Sequence, residues 1–154
     1  MSLLANPASP LTLKDGAGAV IQTVHPSVVD IGHAWHGYRY WLLAEKYTYE
    51  DDSTENPYLW GSNDLATWTF QAGPTTANAT SDNGLTWDAV GKPSDYSAFS
   101  KHNSDGCLHY DAGSDSLWVY FREGRGNSGD ATKPEYWFRQ TVSNSLVISN
   151  PVLT

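Results

Sequence analysis

Set against itself at an offset of 77 residues, the chain repeats both residues and the order of strands and turns: His25 falls on His102, Ser27 on Ser104, Trp41 on Trp118, Pro57 on Pro134 and Trp60 on Trp137. The first half reads "HPSVVDIG", "YRYWLLAEKYTY", "PYLWGS" and "TWTFQAG"; the second reads "DGCLHYD", "SLWVYFRE", "PEYWFRQT" and "LVIS". Within these runs large apolar and polar residues alternate, as in strands with one face covered. Tyr38, Tyr40 and Leu42 fall on one side of their strand, and Trp41 and Leu43 on the other. No segment sustains the i, i+3, i+4 apolar spacing of a helix, so essentially no helix is expected.

A meander of three or four strands over about 50 residues is the size of a propeller blade. One such sheet leaves both faces uncovered and needs a neighbour on each side. The expected fold is therefore all-β, with β-propeller-like blades of antiparallel four-stranded sheets, as an incomplete propeller or two-blade unit. The expected divisions are an extended N-terminal segment over 1–19, a first blade over 20–72, a connecting hairpin and loop over 73–97, and a second blade over 98–154.

Composition agrees with strands and turns: seven Trp and nine Tyr stand against four Phe and one Met, among many Gly, Ser, Asn and Asp. A formal charge of −8 argues against nucleic acid, whose phosphates are held largely by Lys and Arg. Cys107 is the single cysteine, so no internal disulfide is possible, and a buried free thiol is expected. The start "MSLLANPASPLTLKDG" lacks the basic and apolar regions of a secretory signal, and no run approaches the roughly 18 apolar residues of a membrane helix. No cofactor and no metal is expected.

The phrase "GSNDLATWTF" at 61–70 returns as "TSDNGLTWDA" at 80–89. An Asp or Asn in a tight turn bonds nearby backbone, and Thr-Trp carries the chain into the next strand, so the phrase reads as a hairpin clasp. These residues carry a resemblance. "HPSVVDIG", "YRYWLLAEKY" and "ENPYLWGSNDLATWT" together resemble the first blade of the five-bladed propellers of glycoside hydrolase family 43, and "TSDNGLTW" is similar to the Asp-box of sialidase-type propellers. The form looks most like propeller proteins of bacteriophages and bacteria. The resemblance implies a glycan or polysaccharide ligand and an extracellular or virion-associated setting. It also implies assembly with other blades, with copies of itself or with a larger complex. It covers residues 20–70 well and 98–140 loosely.

In the family the Asp of an Asp-Pro-Ser segment is the general base; here that position is His25. Later blades supply the other two carboxyl residues in a ring about twice this length. No carboxylate pair in this chain is assignable to the opposed geometry that glycoside hydrolysis needs. The reading is therefore a carbohydrate-recognition or structural module, non-catalytic in isolation, with a glycoside hydrolase completed by further blades as the alternative.

Candidate catalytic residues are His25, Asp105 and Glu123, and candidate ligand-binding residues are His25, Trp35, Glu55, His102 and Asp105. His25 and His102 open equivalent strands and either face a central pocket or cap their strands. Asp105 either contacts a ligand or forms an Asx turn before Gly106. Glu55 either meets ligand or ties a loop, and Arg122 with Glu123 reads as an ion pair between blades. Trp35, in "HAWHG", is the indole expected to be exposed for stacking on a sugar, among Trp60, Trp87, Trp118 and Trp137. His33 and His36 in the same stretch read as surface residues.

Overall fold

The computed structural model describes residues 11–47, 56–72, 101–125, 136–145, 149 and 152–154. They form eight strands and, among the described residues, no helix. The first sheet comprises β1 (Thr23–Trp35), β2 (Tyr38–Lys46), β3 (Asn56–Ser62) and β4 (Thr69–Ala72); the second comprises β5 (Lys101–Asp111), β6 (Ser116–Arg125), β7 (Tyr136–Val142) and β8 (Val152–Leu153). Each sheet is an antiparallel meander in sequence order. The all-β expectation of two four-stranded sheets is met. The strand expected over 146–149 lies, but for Ser149, outside the described residues, and Val152–Leu153 pairs with β7. Residues 73–97, including the second clasp phrase and Trp87, lie outside the described residues.

The sheets stack face to face, with β5 against β1, β2 and β3. Alternation along β2 places Trp41 and Leu43 in the layer between them, with Ile31, Trp35 and Leu59. Leu108, Leu117, Val119, Phe121 and Val142 fill it from the second sheet. Leu42, Ala44, Tyr58 and Trp60 point the other way and are covered by Leu13 of an N-terminal hairpin closed by the Lys14–Val20 bridge. The Trp60 indole Nε1–H donates to the Lys14 carbonyl at 2.7 Å.

The clasp works as its residues suggest. Ser62 Oγ accepts from the amides of Asp64 and Leu65, and Asp64 Oδ1 accepts from those of Ala66 and Thr67 at 2.8 and 2.7 Å. Beside the clasp, at the start of β2, Arg39 grips Asp30 through two parallel bonds of 2.8 Å. The Arg39 guanidinium, helped by the Gly32 amide, lowers the Asp30 carboxyl to about 2. Amides of Thr67 and Ala66 hold the Asp64 carboxyl below its ordinary value.

Both folded values are depressed. Their stabilising contributions are therefore complete above the unfolded value near pH 4 and fade as pH falls through the folded values. Carboxyl chemical shifts followed by NMR should show Asp30 titrating near 2. In Arg39→Gln, its midpoint should move toward about 4 while that of Asp64 stays in place.

The structure also revises the repeat. Ser27 pairs with Leu43 and Cys107 with Tyr120, so sixteen residues (43 − 27) in the first hairpin answer to thirteen (120 − 107) in the second. The surplus lies at the irregularity between Asp30 and Trp35. Trp41 and Trp118 remain register equivalents. Trp60, opposite Leu42, instead matches Gln140, opposite Val119, while Trp137 matches Pro57. His25 matches Asp105, and Pro26 matches Gly106.

Candidate functional site

β1 and β5 each carry a bulge near their N-terminal ends, between Val24 and Ser27 and between Ser104 and Cys107. His25 and Asp105 occupy these bulges with φ of 49° and 56°, a left-handed backbone that costs a non-glycine residue of the order of 1 kcal/mol or more. Bulges re-aim side chains, and here both turn onto the seam between the sheets. His25 Nδ1 lies 3.5 Å from Asp105 Oδ1 and 3.8 Å from Glu45 Oε2. Arg122 Nη2 lies 2.8 Å from Asp105 Oδ2. The result is an alternating row: Glu45, His25, Asp105, Arg122.

Glu45 anchors the row. It shares its side of β2 with Trp41 and Leu43 and is 0% exposed. A buried carboxylate is costly unless strongly bonded, and Glu45 Oε1 accepts the Gly106 amide across the seam at 2.5 Å. Only glycine fits at 106, since a Cβ there would stand 2.4 Å from Leu43 Cδ2 and 2.5 Å from Glu45 Oε1. A second stitch runs from the Leu108 amide to Ser27 Oγ at 3.0 Å. Asp105, by contrast, keeps 35% of its side chain exposed. With part-exposed His25 and Arg122 it offers donors and an acceptor on one rim, as recognition of a hydroxyl-bearing ligand requires.

The structure thus brings together His25 and Asp105 among the residues singled out from sequence. Arg122 pairs with Asp105 on the neighbouring strand; the ion pair read for Arg122 and Glu123 involves a Glu123 side chain outside the described residues. His102 and Glu123 have backbone places in β5 and β6, opposite Gly124 and Asn103; their side chains, and all of Glu55, lie outside the described residues. Sequence reading missed Glu45. Its signal was parity: a charged residue two places beyond Leu43, on the apolar side of the strand.

Trp35 is not exposed. The extra residues of the first hairpin carry it into the inter-sheet layer, where its ring meets Trp41 edge-on at 5.0 Å. Among the described residues the exposed indole is Trp137. Cys107, expected buried, is exposed beside Ser27, its Sγ 4.0 Å from Ser27 Oγ. His33 and His36 pack edge-on against the rings of Tyr110 and Trp35.

No family model matches the sequence, and no curated protein matches it. Solved structures do. An N-acetylgalactosamine deacetylase from F. plautii, in complex with blood group B trisaccharide, superposes with a TM-score of 0.58 at 21% identity, over 90% of this chain and 32% of that one. An exo-beta-1,3-galactanase from Phanerochaete chrysosporium, with beta-1,3-galactotriose, gives a TM-score of 0.53 at 14% identity, over 93% and 28%. The same galactanase with galactose gives 0.53 at 14% identity, over 92% and 28%. The chain spans about a third of the length of these proteins or less. At such identities the likeness concerns fold, and with the two stacked meanders it supports an all-β, propeller-like architecture consistent with an incomplete ring.

Proposed function

We propose that this chain is a glycan-recognition module whose ligand sits on the seam between the two bulges, and that it does not hydrolyse glycans by itself. The observation that carries this reading is the unequal standing of the two carboxylates at the seam. Glu45 is enclosed and committed to the Gly106 amide, whereas Asp105 reaches solvent. Glycoside hydrolysis needs two carboxyl groups that both reach the scissile bond. Among the described residues the seam presents one to solvent, already charge-paired with Arg122.

His25 and Arg122 donate to sugar hydroxyls in this reading, and Asp105 accepts. The saccharides in the structural neighbours support the choice of probes. An extracellular or virion-associated setting belongs to the same reading, because polysaccharides are met there.

Isothermal titration with blood group B trisaccharide, beta-1,3-galactotriose, arabinan and xylan fragments tests it. At least one is expected to bind, and Asp105→Asn to weaken that affinity roughly tenfold or more, the cost of losing one charge-assisted bond. No binding across the panel defeats recognition. Hydrolysis that disappears in Asp105→Asn would instead establish the alternative, a glycoside hydrolase.

A further inference from the structure

The row of side chains at the seam does not end at Arg122. Arg122 is the cross-strand partner of Trp137 in β7, and directly opposed residues share one face of a sheet with their Cβ atoms about 5 Å apart. Asp105, Arg122 and Trp137 therefore stand on three neighbouring strands, across two strand spacings or about 10 Å. That is about the length of a disaccharide. The first sheet holds Glu45 and Pro57 where the second holds Arg122 and Trp137, and both are fully buried. In the second sheet Trp137 is 46% exposed.

Two features single out this indole. Trp118, on the same face, already has the Arg139 guanidinium over its ring at 4.5 Å and the His109 ring beside it at 5.5 Å. Trp137 is held at its backbone, where its carbonyl accepts the Thr154 amide at 3.0 Å and the Thr154 hydroxyl at 3.1 Å. A tryptophan on a fixed backbone offers a large, rigid contact surface with two rotatable bonds, so little freedom is lost when a ligand covers it.

We propose that Trp137 is the stacking platform of the seam and that the site takes pyranosides in preference to furanosides, an inference that rests on the glycan reading above. A pyranose has a flat face of C–H groups that lies on an indole, while its hydroxyls project around the rim, where Arg122 donates and Asp105 accepts. A wholly apolar occupant of Trp137 would leave the charged pair beside it unused. A sugar engages both. The puckered five-membered ring of a furanose has no comparable flat face.

Isothermal titration of the full chain with beta-1,3-galactotriose and xylan fragments, built of pyranose rings, and with arabinan fragments, built of furanose rings, tests the inference. At least one pyranoside is expected to bind about tenfold or more tighter than the arabinan fragments. Trp137→Leu, apolar but without a flat ring, should weaken that binding about tenfold, and Trp137→Phe should stay within about threefold of the parent. Melting temperatures of the three proteins should agree closely, because the site is exposed. A second measurement needs no loss of the aromatic ring: the indole Nε1–H resonance of the parent's Trp137, identified by its absence in Trp137→Phe, should shift on titration with the bound pyranoside. Binding that Trp137→Leu leaves unchanged, an unmoved Trp137 resonance, or arabinan bound as tightly as the pyranosides overturns the platform while the glycan reading stands. No binding by any of these saccharides removes both.

Discussion

Trp35→Ala is expected to lose about 4 kcal/mol of stability, the usual cost of emptying a buried tryptophan site. For a chain of this length that is roughly 8 to 16 °C in melting temperature. Trp35 is enclosed between β1 and the second sheet, with ring contacts to Trp41 and Tyr110. The surrounding layer is built from both sheets, so its strands cannot close over the void without separating bonded pairs. Differential scanning calorimetry measures the loss. A change of under about 1 kcal/mol, the range of an exposed surface residue, would show that the ring is not part of the core. The experiment also bears on recognition, since a sugar platform at 35 would lose affinity and keep stability.

Gly106→Ala is expected to cost about 3 kcal/mol, combining overpacking with displacement of the amide that satisfies a buried carboxylate. Leu43 and Glu45 hem in the added methyl from two directions, and neither offending atom can swing into solvent. A thermodynamic cycle with Leu43→Ala separates the two causes. Trimming Leu43 costs stability alone, yet it should recover part of the Gly106→Ala loss by making room, leaving a favourable coupling of about 1 kcal/mol. Strict additivity would mean that the methyl does not meet Leu43. Chemical denaturation of the four proteins reads all the terms.

Strand order was legible in the sequence because alternation is a local property. Trp41, Leu42 and Leu43 announce two covered faces, and the Ser62–Asp64 turn announces its hairpin through side chains two or three residues from their partners. What escaped was the alignment of the halves. A single offset follows the chain only until lengths diverge, and the three extra residues of the first hairpin carry His25 off His102 and onto Asp105. Those same residues move Trp35 from a turn into the interior.

The candidate site was half visible. His25 and Asp105 announce themselves by chemistry and position, while Glu45 lies in a run, "WLLAEKY", that reads as ordinary core strand. Its role depends on an amide 61 residues away, and no local pattern carries that pairing.

Pro26 occupies in the first sheet the place that Gly106 holds in the second, and proline has no amide hydrogen. The two halves are therefore not interchangeable parts. A tandem duplication of the first half would leave a Glu45 carboxylate facing a ring nitrogen that cannot donate, and a duplication of the second would press Arg122 against an N–H. Only the heterotypic order found here mates acceptor to donor, so the direction in which such a molecule can be extended is encoded at one backbone nitrogen.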